Sequence, residues 1–401
     1  MKLLLKIRAT PKLSKNNREE FMKRLFSIIA CFLAVILLFS SCTSDKTPPK
    51  TELTKVRFAF TNATPDFVAN AWFVAQERGF FEEEGLDVEI QWTGGTSRAL
   101  QFLVSGQSDI AWASPAGTIN AYVAGHDIVA FFAIDYIFPF EITVPANSPI
   151  TKWDASQFRG TTIGVTEFAG GEMPMLLGAL HLLGLKDNVD FTLKEIGGGE
   201  PLTLSELQSG KVQAYATDIL SAGKIEIAGV PLRRVQPEGV RQFPGNTFVA
   251  MRDYYTEHRD VCIGMVRAVA KAEYWMQANI IGAVDICAKY APDVVAEGGV
   301  DGTRYILEEF SVKGLEAKPT GISYGWQLAE PWIQYQQFLL ASGSPDPEDP
   351  IQFTDVIDPS LILDNSMIEE VNAGIDKAAV VKDAQAYQLQ VINKPPYNYK
   401  P

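Results

Sequence analysis

Three histidines, four cysteines and a scatter of carboxylates are the groups in this 401-residue chain with the chemistry for acid–base, nucleophilic or metal work. His126 and His181 fall at a helix end or on a helix face, and His258 in a polar loop. No Ser–His–Asp order and no His-rich metal spacing results. Cys31 lies inside an N-terminal apolar run and Cys42 just after it. Cys262 and Cys287 are 25 residues apart in a helical region and match no metal motif. On one straight helix they would lie roughly 37 Å apart, so a disulfide requires a helical hairpin; buried thiols and a bridge both fit the spacing. What the residues do supply is binding chemistry. "TGGTSRAL" (Thr93–Leu100) and "GGGE" (Gly197–Glu200) are glycine turns ahead of helices, whose backbone N–H groups can hold an anion or a carbonyl. "GGGE" lacks the GK[ST] ending of a P-loop, which argues against nucleoside triphosphates.

These turns sit in a repeated frame. "ALQFLVSGQSDIAWAS" (Ala99–Ser114) and "TLSELQSGKVQAYATD" (Thr203–Asp218) align at an offset of 104 and share Leu100/Leu204, Leu103/Leu207, Ser105/Ser209 and Gly106/Gly210. Around the first copy, "KVRFAF", "LDVEIQW" and "SDIAWAS" read as strands. The stretches "NAWFVAQERGFFEEEG", "GGTSRALQFLVSG" and "SPAGTINAYVAG" read as helices between or after them. Around the second, "GTTIGVT", "VDFTLKEIG" and "KVQAYATD" read as strands and "MLLGALHLLG" and "EPLTLSELQSG" as helices. Alternating strand and helix predicts two similar parallel α/β lobes with a cleft between them. The chain crosses between lobes through Val129–Ile150 and returns near Phe243–Tyr255, and two crossings, joining the lobes at roughly 140–160 and 236–248, predict a hinge. From Thr256 the chain reads as mainly helical, with Pro331 kinking or splitting one helix and a loose end at "NKPPYNYKP".

In open α/β lobes ligands sit at the carboxyl ends of strands. That rule selects Asn62 and Asp66 after the first strand, Gly95, Thr96 and Ser97 after the second, and Ser114 after the third. In the second lobe it selects Thr166, Glu167, Glu200 and Asp218. The crossings add Asp135, Tyr136 and Asn246. The loops hold Asp66, Asp135, Glu167 and Asp218 against Arg98 alone, so an amine or nitrogen-bearing ring suits them better than an anion. Trp72, Trp92, Trp112, Tyr136 and Phe138 are candidates to stack on such a ring, or else core residues.

The first 41 residues carry a net charge of +6 and the remainder −19, within a total of −13. An acidic body argues against nucleic acid as a partner. "MKRLFSIIACFLAVILLFSSC" (Met22–Cys42) has a basic start, an apolar run and two small residues before Cys42, the pattern of a secretory signal. It resembles a bacterial lipoprotein cleavage site, with Cys42 as the lipidated residue; an uncleaved membrane anchor is the alternative reading, and the start is Met22 or Met1. The polar stretch up to Thr54, with Pro48 and Pro49, reads as a tether.

"GFFEEEGLDVEI" followed by "ALQFLVSGQSDIAWAS" closely resembles the first lobe of the solute-binding proteins of bacterial ABC importers, in the branch for nitrate, sulfonates, taurine and thiamin pyrimidine precursors. "SQFRGTTIGV", "RDVCIGMVRAVAKAEYWMQANIIGAVDICAKYAPDV" and "DVIDPSLILDNSMIEEVN" are similar to later parts of that family. The resemblance spans about Val56 to Asn372. It implies a two-lobe periplasmic-binding-protein fold of class α/β, each lobe a mostly parallel sheet flanked by helices, with a hinge and a helical C-terminal region. It implies leader 1–41, tether 42–54, first lobe 55–145, second lobe 146–243, and a return with C-terminal helices over 244–401. The expected role is capture of a small solute and delivery to an ABC permease by a lipid-anchored, extracytoplasmic monomer without cofactor, metal or catalysis. A nitrogen-bearing aromatic such as a pyrimidine is the expected ligand, and sulfonate, taurine or nitrate the alternative. A pyrimidine-synthase-like enzyme is the other class; it needs a cysteine cluster that this chain lacks.

Overall fold

Side-chain size alternates along "IAWA", and that alternation shows how the first lobe is layered. Ile110 and Trp112 point into one buried core, Ala111 and Ala113 into the core on the opposite face. The alanines leave room for the helices Thr96–Val104 and Pro115–Val123, which bring Leu100, Leu103 and Ile119 to that face. A strand covered on both faces has no polar side to show, so all four residues are buried.

The computed structural model describes residues 52–400 except 169, 199–200, 310–312 and 344–352. Candidate residues Glu200 and Cys42, and the leader with its apolar run, lie outside the described residues. Leu53 onward forms one unit by its contacts, with ten strands among the described residues. They are β1 (Thr54–Phe60), β2 (Leu86–Trp92), β3 (Ile110–Ala113), β4 (Ile128–Ala133), β5 (Phe140–Pro145), β6 (Thr161–Val165), β7 (Phe191–Glu195), β8 (Ala214–Asp218), β9 (Leu232–Arg234) and β10 (Thr247–Met251).

One sheet has the order β2-β1-β3-β10-β4 and the other β7-β6-β8-β5-β9. In the first, β1 is parallel to β2 and β3, and β10 runs antiparallel to β3 and β4. In the second, β6 is parallel to β7 and β8, and β5 runs antiparallel to β8 and β9. The two orders are equivalent, and β3 and β8 are the strands of the 104-residue repeat. Each antiparallel strand is the one that follows a crossing. Its amino end therefore lies beside the carboxyl ends of the parallel strands.

Several local expectations are corrected. "NAWFVAQERGFFEEEG" is two helices, Asn70–Glu77 and Phe80–Glu83, because Gly79 takes a left-handed φ of 73° between them. The helical stretch around the cysteines breaks at Asn279, whose side chain caps the second helix at Gly282. Cys262 and Cys287 lie on either side of that break as buried free thiols. Pro331 neither kinks nor splits its helix. It sits in the first turn of Ala329–Ser342, where no N–H is needed. That helix returns to the second sheet: Trp332, Tyr335 and Leu339 pack with Leu176 and Leu180 of the helix Met173–Leu182. The C-terminal residues are packed as well, with Ile392 buried and Tyr397 Oη donating to the Pro292 carbonyl.

Candidate functional site

The carboxyl ends of the parallel strands in both sheets face a shared cavity of about 260 Å³. From the first sheet come Thr61, Asn62 and Asp66 after β1, Gly95 and Thr96 after β2, Trp112 on β3 and Asn246 ahead of β10. From the second come Thr166, Glu167 and Glu172 after β6, Gly197 and Gly198 after β7, and Asp218 with Ser221 after β8; Phe140 opens β5.

Of the residues selected from sequence, Asn62, Asp66, Gly95, Thr96, Thr166, Glu167, Asp218 and Asn246 line this cavity. Four others do not. Ser114 is buried as the N-cap of Pro115–Val123, with Oγ accepting from Gly117 N–H. Ser97 faces an outer groove beside Leu100 and Gln101. Asp135 and Tyr136 line a separate cavity behind the crossing. Of the proposed stacking residues, Trp72 and Phe138 are core, and Trp92 packs on Phe60 and Phe73. Trp112 alone of these reaches the cleft.

The acidic rim expected from sequence is largely neutralised by local bonding. Asp66 accepts from Phe67 N–H through Oδ1 and from Lys224 Nζ through Oδ2, at 2.5 and 2.7 Å. Asp218 is the N-cap of Ile219–Ile227: Oδ1 accepts from the N–H groups of Leu220 and Ser221, and Oδ2 from Ser221 Oγ at 2.6 Å. Glu167 is half-buried, which raises its pKa, while Arg98 from the first lobe opposes the shift. The expectation that Arg98 stands alone therefore misses Lys224, which lies six residues beyond Asp218 on a helix of the other lobe.

The carboxyl that sequence reasoning missed is Glu172. It is 3% exposed, Oε1 accepts from Thr166 N–H at 3.0 Å, and burial pushes its pKa up to about 8. Burial thus favours its protonated form, in which a carboxyl both donates and accepts. The signal lay in "AGGE". A Cβ on Gly170 would sit 2.3 Å from the Glu172 carboxyl, and one on Gly171 would sit 2.4 Å from Phe140 Cζ. The two glycines make space for an acid and an aromatic ring side by side. Opposite, Asn246 Oδ1 and Trp112 Nε1 are buried and, among the described residues, have no hydrogen-bond partner. The cleft wall thus contains a donor/acceptor acid, a buried and unpartnered amide oxygen and indole N–H, and two aromatic rings.

The Gly94–Gly95 turn is committed to the fold. Gly94 N–H donates to the Asn62 carbonyl at 3.1 Å and Gly95 N–H to that of Thr61. The helix that follows, Thr96–Val104, has no side-chain cap.

The profile of the family described as NMT1/THI5 like matches residues 67–279, just over half of the chain. The chain belongs to the NMT1/THI5-like family. This NMT1/THI5-like protein is 20% identical over 331 residues to the riboflavin-binding protein RibY of Chloroflexus aurantiacus, across 79% of this chain and 92% of RibY. It is 22% identical over 342 residues to the formylaminopyrimidine-binding protein of Halalkalibacterium halodurans, across 79% of this chain and 93% of that one. The alkanesulfonate-binding protein SsuA from Xanthomonas axonopodis pv. citri, solved with MOPS, superposes with a TM-score of 0.56 at 16% identity, over 79% of this chain and 99% of SsuA. The fold is that of the two-lobe periplasmic binding proteins.

Proposed function

We propose that this protein captures a small, uncharged, nitrogen-bearing aromatic solute of the pyrimidine kind between its lobes. It passes the solute to an ABC permease outside the cytoplasm and binds without turnover, as a monomer tethered through a lipid on Cys42. The observation that carries the ligand class is Glu172, an acid buried in the cleft wall, where desolvation raises its pKa and so favours the protonated form. A protonated carboxyl, with a donor beside an acceptor, matches the paired N and N–H edge of an amino-substituted ring at both atoms, whereas an anion can use its donor alone. Asn246 Oδ1 and Trp112 Nε1 supply further partners on the opposite wall, and Trp112 and Phe140 supply faces for stacking.

Size favours one ring over several. A cavity of about 150 Å³ already holds a benzene-sized molecule, so about 260 Å³ suits a single substituted ring with a short tail. Two relatives are named for ring solutes, riboflavin and a formylaminopyrimidine.

The reading for a sulfonate, taurine or nitrate rests on the uncapped N-terminus of Thr96–Val104, which favours negative charge. The helix N-termini after β3 and β8 weaken it, since Ser114 and Asp218 occupy their N–H groups. Mass spectrometry of small molecules released from gently purified protein tests the choice. A nitrogen-containing ring compound is expected; a sulfonate in stoichiometric amount overturns the proposal.

A further inference from the structure

Asp135 and Tyr136, which the strand-end rule assigned to the main cleft, line a second cavity of about 200 Å³ on the far side of the crossing. Its other walls include Phe243 and Gly245 from the return crossing, Trp326, and Trp332 at the start of the helix Ala329–Ser342. The two crossings touch here: a Cβ on Gly245 would lie 2.7 Å from Asp135 Cβ. Asp135 is nine-tenths buried, and its Oδ2 has no hydrogen-bond partner among the described residues. Neighbouring Glu273, from the helix Arg259–Ala278, is buried too and has an equally unpartnered Oε2. No lysine or arginine among the described residues pairs with either acid, and burial alone raises Asp135 to about 7.

Other buried carboxylates in this chain have found partners. Asp285 is wholly buried and accepts four hydrogen bonds, from Tyr387 Oη and the N–H groups of Gln390, Val391 and Ile392. Glu141 is buried and held by Arg234 and Arg241. Asp135 differs in having an unpartnered buried oxygen while it lines a cavity walled by four aromatic residues. A buried carboxylate without a cation is costly, and aromatic faces attract a weakly hydrated cation. The two features call for the same occupant.

We propose that this cavity is a second binding site, for a small organic ammonium ion whose charge lies at Asp135 and whose alkyl groups lie against Tyr136, Trp326 and Trp332. The site lies where the crossings meet and is separate from the proposed solute cleft.

Titration calorimetry with choline, and with 3,3-dimethylbutan-1-ol as its uncharged isostere, tests the proposal on the whole protein. Choline is expected to bind once per chain, and the isostere at least about tenfold more weakly. Asp135→Asn should weaken choline by about tenfold or more. Trp326→Leu, at a half-buried loop position, should also weaken it and serves if the first variant does not fold. Three results would overturn the proposal: no heat from choline at millimolar concentration, equal binding of the isostere, or choline binding lost in Glu172→Gln but kept in Asp135→Asn. The last would put the cation in the main cleft.

Discussion

The Asp66 carboxylate, at the end of the first strand of one sheet, accepts a hydrogen bond from the Lys224 ammonium, on a helix of the other sheet, at 2.7 Å. Both side chains are more than four-fifths buried, and Lys224 lies 4.6 Å from the centre of the Phe67 ring. The pair bridges the lobes at the edge of the cavity, so its energy depends on how closely they approach. Asp66→Asn and Lys224→Met should each weaken solute binding by about 1.5–3 kcal/mol, the scale of a charge-assisted hydrogen bond. Each should also enlarge the particle seen by small-angle scattering without solute. The double variant should lose no more than the worse single one. Unchanged scattering and affinity in both single variants would exclude a latch.

Asp218 is bound up in capping its helix, and its substitution should act on stability. Asp218→Ala removes the acceptor for three donors, from Leu220 and Ser221. The expected cost is about 0.5–2 kcal/mol, read from a urea denaturation midpoint. A variant of unchanged stability that selectively loses an amine ligand would return Asp218 to the direct contact role the sequence suggested.

The pH dependence of stability follows from carboxyls held above their ordinary range chiefly by burial: Glu172 and Glu273 at about 8 and Asp135 at about 7, with Glu141 and Glu167 raised as well. Unfolded, such groups ionise near pH 4. Between those limits the folded chain binds more protons than the unfolded one, so stability falls as pH rises from about 5 to about 8. Asp383, held low by Arg78, acts below that window. Denaturation midpoints should decline across the window, and Glu172→Gln should flatten the decline. A midpoint that rises with pH contradicts the burial of these acids.

Much of this arrangement was legible before any coordinates. The 104-residue repeat fell on β3 and β8, and strand ends selected eight residues that line the cleft. What strand ends do not reveal is which way a side chain points and what it meets there. Asp135 and Asn246 both lie at crossings, yet Asn246 faces the cleft and Asp135 the cavity behind it. Sequence does not single out Lys224, because its partner Asp66 lies 158 residues away along the chain. Glu172 reads as an acid in a glycine-rich turn before a helix, where solvent is the usual neighbour. Its burial is a property of tertiary packing, with the Thr166 N–H donating to its carboxyl.

Gly171→Ala tests that packing. The new methyl would overlap the Phe140 ring, at a cost of about 1–3 kcal/mol, and displace the ring from the cavity wall. Thermal unfolding should show the destabilisation, and solute affinity should fall with it. Full affinity in a stable Gly171→Ala protein would remove Phe140 from the site.

The tether has its own test. Cys42→Ala should release the protein from the membrane fraction or block processing of its leader. Normal processing with full membrane retention would show that Cys42 carries no anchor.

The central claim is that the cleft selects an uncharged nitrogen ring through a protonated Glu172. Titration calorimetry of the wild type and Glu172→Ala with an aminopyrimidine, a flavin-like ring, taurine and an alkyl sulfonate addresses it most directly. Expected are micromolar binding of the aminopyrimidine, a loss of about tenfold or more in Glu172→Ala, and no measurable heat from taurine or the sulfonate. Micromolar binding of taurine or the sulfonate, with both rings silent, would contradict it.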